Sequence, residues 1–100
     1  MFAATYQYIV PNDKTREYIE LERKAIEIYK EHGCLGVEIY RDAQDPTRWM
    51  EINRYRDRAH YGEVVAAVDS DPRMEPLFEE FMVLIESEDR PEKSLYYQMI

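Results

Sequence analysis

The segment Arg48-Trp-Met-Glu-Ile-Asn-Arg-Tyr55, followed by Arg56-Asp-Arg-Ala-His-Tyr61, decides how the rest of the chain is interpreted. Polar and apolar residues alternate through its first part, as in a β-strand whose two faces meet different surroundings. One face carries Trp49, Glu51, Asn53 and Tyr55, and the other carries Met50, Ile52 and Arg54. Asp57 is suited to cap a helix that begins directly afterwards. The segment therefore predicts a strand over residues 48–55 that runs straight into a helix.

A second strand is predicted just before this one, over residues 34–41, with a turn rich in Asp and Pro between them. Two strands joined by so short a turn form an antiparallel hairpin. Pairing Arg41 with Arg48 makes one face wholly apolar and sets Glu38 across from Glu51. The apolar face then consists of Val37, Ile39, Met50 and Ile52. A slip of two residues keeps the faces but separates the glutamates, and the pattern does not say which face meets the helices.

The remaining elements complete a β-α-β-β-α-β order. They begin with a strand over 3–10 and a helix over 14–32, which Asn12 or Asp13 would cap and Gly33 would stop. A second helical region is interrupted at 69–72, where Asp71 and Pro72 suit a new cap and first residue; a start near Pro76 is the alternative, since Pro76 must lie in a first turn. A polar loop over 87–93 and a strand over 94–100 follow. This order is the split βαβ pattern of ferredoxin-like folds. We expect one α+β domain over residues 1–100, with an antiparallel sheet, helices on one face, and a second copy covering the other face.

Composition excludes several classes of protein. The net charge is −8 and the pI is about 4.7, which argues against nucleic-acid or anionic-membrane surfaces because these need clustered Lys and Arg. No apolar run approaches the roughly 20 residues of a membrane span, and the N-terminus does not resemble a secretory signal. Cys34 is the single cysteine and is expected to be buried. No spacing indicates a metal site. We expect a cytoplasmic protein.

Two stretches resemble a known superfamily. Trp49-Met-Glu51 leading into Arg54-Tyr-Arg-Asp57-Arg-Ala-His60 resembles the third strand and following helix of dimeric α+β barrel proteins, close to the antibiotic-biosynthesis monooxygenases. Asp71-Pro72 with the later Leu77-Phe78-Glu-Glu-Phe81 resembles their second helical region. The resemblance extends over the whole chain as an element order and implies a homodimer joined through its sheets. The superfamily includes cofactor-free oxygenases of phenols, haem-degrading enzymes, isomerases and decarboxylases, so it transfers architecture further than function.

The haem-degrading branch of that superfamily fits this chain poorly. It has its Asn on the first strand and its Trp in the second helical region, whereas this chain has Gln7 on strand one and its only Trp at position 49. The resemblance therefore favours the branch that works without a tightly bound cofactor.

The strand and the helix start supply the candidate site. His60 is the candidate catalytic base, because a neutral imidazole can take a proton near neutral pH. Trp49, Tyr55 and Glu51 would bind the substrate, and Asn53 could hold a carbonyl or oxyanion. Two functions remain open: a cofactor-independent monooxygenase-like enzyme acting on an aromatic or enolisable small molecule, and a noncatalytic binding or structural homodimer. In the second case His60 belongs to a surface helix turn and Trp49 to an interface.

Overall fold

The computed structural model describes residues 1–85 and 91–100. Its elements, in chain order, are β1 (Phe2–Ile9), a single 3-10 turn (Asn12–Lys14), α1 (Thr15–Glu31), β2 (Gly36–Arg41), β3 (Arg48–Tyr55), α2 (Arg58–Asp69), α3 (Met74–Leu84) and β4 (Glu92–Tyr97). Most of the polar loop predicted over 87–93 lies outside the described residues. The predicted element order is confirmed, with two helices where the interrupted second helical region was expected.

The four strands form one antiparallel sheet in the order β2-β3-β1-β4. β1 and β3 are the central strands, and their register places Tyr6 opposite Glu51 and Tyr8 opposite Trp49. Buried side chains on these strands pack against residues of the helices, so the helices cover a single face. The predicted α+β, ferredoxin-like fold is confirmed.

The predicted register of the β2–β3 hairpin is wrong by one residue. Arg41 pairs with Trp49 rather than Arg48, and Val37 pairs with Asn53. Because side chains alternate between faces, this slip moves Val37 and Ile39 to the same face as Glu51. The wholly apolar face is therefore not formed, since Met50 and Ile52 lie on the other side of the sheet.

The turn explains that slip. The Asp42 side-chain Oδ1 accepts hydrogen bonds from the backbone N–H groups of Gln44 and Asp45, at 2.8 and 2.9 Å. The Asp42 N–H donates to the Arg48 carbonyl at 2.8 Å, which continues the ladder one residue beyond Arg41. Turn geometry of this kind sets hairpin register and is invisible to a pattern of apolar positions.

The pairing of Glu38 with Glu51, which the sequence left open, does not occur. Glu38 lies on the face away from the helices, where its carboxylate accepts hydrogen bonds from Arg54 and the Tyr40 hydroxyl. These partners lower the pKa of Glu38, led by the hydrogen bond from Arg54. Glu38 is therefore an ion-paired surface residue.

The helix starts follow the sequence only in part. Asp57 caps α2 as predicted, with its carboxylate accepting the His60 N–H at 2.7 Å. Neither Asn12 nor Asp13 caps α1, because the 3-10 turn intervenes and Lys14 occupies the cap position. The expected Asp71 cap of α3 is wrong, because the cap position is Arg73. The helix begins at Met74, which places Pro76 in its first turn, as the alternative start near Pro76 predicted. The Asp71 carboxylate instead bonds the Arg73 N–H and His32 Nε2, each at 2.9 Å.

Other expectations are confirmed. Gly33 follows α1 with a φ of 105°, the left-handed conformation that lets the chain leave a helix. Cys34 is buried and unpaired. Among the described residues, no helix combines the length and apolar character that crossing a membrane demands.

Candidate active site

The face of β3 that carries Trp49, Glu51, Asn53 and Tyr55 is the one that meets the helices. Trp49, Asn53 and Tyr55 are buried there, and Glu51 is half-buried between them. Trp49 packs on Tyr18 of α1 with ring centroids 4.9 Å apart. These side chains therefore belong to the space between sheet and helices, and none of them is available to cover the open face of the sheet.

A cavity of about 550 Å³ lies between the sheet and all three helices. Aromatic rings form much of its wall: Tyr6, Tyr8, Tyr29, Phe78 and Phe81. Its ionisable side chains, apart from the tyrosines, are Glu22, Glu51, Asp69, Glu75 and Lys93. An apolar cleft of this size with a few converging polar groups is the usual form of a small-molecule site.

Glu22 and Glu51 are the polar centre of this cavity. Glu22 comes from the buried side of α1 and Glu51 from the middle of β3, and both line the cavity. Burial raises the pKa of Glu22 well above its usual range, and the neighbouring Glu51 raises it further. Burial also raises the pKa of Glu51, against the lowering effect of Glu22 and Asn53. Two buried carboxyls that affect each other in this way titrate as a pair.

Several tyrosine hydroxyls surround the pair. Burial raises the pKa of Tyr8, Tyr18 and Tyr29 beyond the ordinary tyrosine value, so these hydroxyls remain protonated. The hydroxyls of Tyr8 and Tyr18 hydrogen-bond each other at 2.5 Å, and the Tyr8 ring meets Phe81 edge-on at 4.9 Å. The pair thus sits among fixed aromatic rings. No group of three or more Asp, Glu, His or Cys suited to a metal ion occurs in residues 1–85 and 91–100.

Three polar groups on β3 are buried without a hydrogen-bond partner of normal geometry among the described residues. They are the Trp49 indole N–H, the side-chain amide of Asn53, through both its Nδ2 and its Oδ1, and the Tyr55 hydroxyl. Asn53 is close enough to lower the pKa of Glu51. Leaving such groups unpaired costs about 1–3 kcal/mol each, and natural proteins tolerate this cost mainly at functional positions. None of the three residues lines the cavity itself, but they flank Glu51 on its strand.

His60 is buried at the start of α2, beside Tyr55. Its Nδ1 accepts the Arg56 backbone N–H at 3.0 Å, its Nε2 lies 3.4 Å from an Arg56 guanidinium nitrogen, and its ring meets Tyr55 edge-on at 5.8 Å. It does not line the cavity. The structure thus brings Trp49, Glu51, Asn53 and Tyr55 together along one strand and keeps His60 apart from the cavity. The role of His60 as a base stays a prediction.

Glu22 is the residue that the sequence analysis did not single out. It lies four residues after Tyr18 and three before Ala25, both of which belong to the apolar stripe of α1. A carboxyl on the buried stripe of an amphipathic helix is an unusual feature, and that position was the available signal.

The arrangement defines a class: a small α+β domain with an aromatic, acid-containing cavity under a four-stranded sheet. Residues 1–67 match the model of the family described as antibiotic biosynthesis monooxygenase, and the chain belongs to that family. No curated protein matches the sequence.

Solved structures support the same fold. An antibiotic biosynthesis monooxygenase is similar with a TM-score of 0.76 and 16% identity over 100% of both chains. Protein Atu4242 from Agrobacterium tumefaciens has a TM-score of 0.78 and 20% identity, over 97% of this chain and 92% of that one. SnoaB from Streptomyces nogalater, described as a cofactor-independent oxygenase, has a TM-score of 0.78 and 12% identity, over 99% and 93%. At these identities the likeness shows a shared fold.

Proposed function

We propose that the protein is a cofactor-independent monooxygenase-like enzyme that acts on an aromatic or enolisable small molecule bound in the cavity. The observation that carries the proposal is the cavity of about 550 Å³, which combines aromatic walls with buried carboxyl groups. Membership of the monooxygenase family and the likeness to SnoaB support oxygenation as the reaction type. Such chemistry requires a planar substrate that loses a proton and then reacts with oxygen away from water.

Each site residue has a part in this proposal. The rings of Tyr6, Tyr8 and Phe81 hold the substrate by stacking, and Glu51 contacts it directly. Trp49, Asn53 and Tyr55 flank Glu51 on β3 but do not line the cavity, so they contact a substrate only if the cavity extends along β3 when the substrate binds. In that case the Asn53 amide is suited to an oxyanion. His60 is the base predicted from the sequence. For His60 to act, the cavity must extend beyond its present lining when the substrate binds.

The proposal includes a homodimer formed through the open face of the sheet, in the cytoplasm. That face exposes large apolar side chains that a second copy would cover, among them Ile9, Tyr40 and Tyr96. Isologous contact between two sheets is a common solution for such a face. Light scattering that reports the monomer mass of 12.1 kDa at micromolar concentration would contradict the dimer.

The test is oxygen uptake with a panel of anthrone-like phenols, comparing the wild type with His60→Ala. The wild type is expected to consume oxygen and form a ring-oxygenated product, since both the stacking surface and a base are available. Loss of turnover in His60→Ala with substrate affinity retained would support His60 as the base, and an unchanged rate would remove it from the mechanism. Substrate binding without any oxygen uptake would favour the noncatalytic binding protein.

A further inference from the structure

We propose that Glu22 and Glu51 act as a proton-sharing pair in which the Glu51 carboxylate takes a proton from the bound molecule. The site would then accept uncharged carbon or oxygen acids, such as phenols and enolisable ketones, and reject carboxylates and phosphates. This inference rests on the proposed function of the same cavity. It assigns the removal of the substrate proton to Glu51, which lines the cavity, in place of His60, which does not.

The geometry brings the two carboxyls to one wall of the cavity from different elements. Glu22 lines the cavity, yet it is only 8% exposed. Glu51 is central on β3, with Tyr6 directly opposite on β1. Within the described residues neither carboxyl forms an ion pair, unlike Glu38 and Glu31, which pair with arginines. A buried pair of acids without a cationic partner is costly as structure alone.

Charges on the surrounding elements select against anions. α2 contributes Asp69 and α3 contributes Glu75, while β4 contributes Lys93, the single cation that lines the cavity among residues 1–85 and 91–100. The Lys93 ammonium lies over the Tyr61 ring at 5.1 Å and near the Tyr6 ring at 5.9 Å. An excess of acidic groups makes the potential of the cavity negative, which opposes the entry of a second anion.

The division of labour within the pair follows from hydrogen bonding. Burial raises the pKa of both carboxyls, but the polar neighbours Glu22, Asn53 and Tyr8 oppose this for Glu51, whereas Glu51 adds to it for Glu22. The proposal therefore gives the negative charge to Glu51 and the proton to Glu22. The neutral tyrosines at positions 6, 8, 18 and 29 supply only hydroxyl groups around them.

A second observation stands beside the pair. Asn53 is fully buried, yet neither its Nδ2 nor its Oδ1 makes a normal hydrogen bond within the described residues. It lies two residues after Glu51, on the same face of β3. Because Asn53 does not line the cavity, its amide acts through the neighbouring Glu51 carboxyl, whose pKa it lowers.

The proton transfer needs only the substrate and Glu51. The substrate O–H, or the C–H next to a carbonyl, breaks, and its proton forms a new O–H bond on Glu51 Oε. The bonding electron pair stays on the substrate as a phenolate or enolate. The negative charge thus moves from Glu51 to the substrate, and the Glu22 proton remains available to stabilise either state.

The test is deuterium exchange into the acidic carbon of anthrone in D₂O without oxygen, followed by NMR. Wild type should accelerate exchange, with a rate that falls as pH drops through the ionisation of Glu51. Glu51→Gln should slow exchange by about 100-fold or more and abolish this falling limb, since general base catalysis contributes factors of that order. Glu22→Gln should slow it by a smaller factor. The control Glu63→Gln, on the exposed side of α2, should match wild type.

Competition tests the substrate class in the same assay. Neutral 9-anthracenemethanol should inhibit exchange, whereas anthracene-9-carboxylate should not. Equal inhibition by both, absence of exchange in the wild type, or an unchanged rate in Glu51→Gln would overturn the inference. Exchange that depends on Glu51 without oxygen uptake in air would support the pair while contradicting the monooxygenase. Oxygen uptake that survives Glu51→Gln would do the reverse.

Discussion

At the scale of single residues, Glu22 carries the clearest energetic cost. Its carboxyl is buried on a helix stripe formed otherwise by residues such as Tyr18 and Leu21, with another carboxyl as its neighbour. Because burying a charge is unfavourable, the Glu22 carboxyl favours its protonated form in the folded state. A proton held in the folded state but released by the unfolded chain makes stability depend on pH.

The sign of that dependence follows from the raised pKa of Glu22. The stabilising effect is complete below the ordinary glutamate pKa and is lost as pH rises towards the raised value. We expect Glu22→Gln, which stays neutral, to raise the free energy of unfolding by about 1–3 kcal/mol near pH 8, and by much less near pH 4. Urea unfolding at both pH values measures this. Glu20→Gln, at an exposed position on the same helix, is the control. An equal effect of Glu22→Gln at the two pH values would contradict the shifted ionisation.

At the scale of elements, the sequence predicted what depends on local pattern. The bounds of β3 and the capping of α2 by Asp57 were predictable, because alternation and a capping carboxylate are local signals. The β2–β3 register was not, because hydrogen bonds from Asp42 within the turn decide it. The start of α3 was missed because Asp71 binds His32 and Arg73 across elements instead of capping its own helix.

The cap of α2 gives a prediction at this scale. The Asp57 carboxylate satisfies the His60 N–H, which would otherwise be unpaired in the first helical turn. Asp57→Ala should therefore lower the free energy of unfolding by about 1 kcal/mol, and Asp57→Ser should lower it by less. Thermal or urea unfolding measures the change. Asp13→Ala is the matched control, because no side-chain cap is made at the 3-10 turn. A loss no larger than that of Asp13→Ala would show that the cap does not stabilise the helix.

At the scale of the whole molecule, the cavity forms only where the sheet and the helices pack together. Its walls come from the sheet and from three helices, and its two carboxyls belong to elements far apart in the sequence. The sequence indicated Glu51 through the alternation of β3, but nothing local connects it with Glu22. The sequence suggested Glu38 as a possible partner of Glu51, but in the observed register Glu38 pairs with Ile52 and lies on the opposite face of the sheet. The face on which Glu51 lies could be predicted from the alternation along β3, whereas its proximity to Glu22 on α1 could not.

Whether this cavity binds the substrate is tested most directly by filling the cavity with a larger side chain. Ala25 lines the cavity from α1, whereas Ala66 is exposed on α2, so Ala25→Trp and Ala66→Trp form a matched pair. The measurement is oxygen uptake with the anthrone-like substrate that wild type oxidises. We expect Ala66→Trp to retain the wild-type rate and Ala25→Trp to lose at least about nine-tenths of it, because the indole occupies space the substrate needs. A folded Ala25→Trp protein that turns over at the wild-type rate would contradict the account.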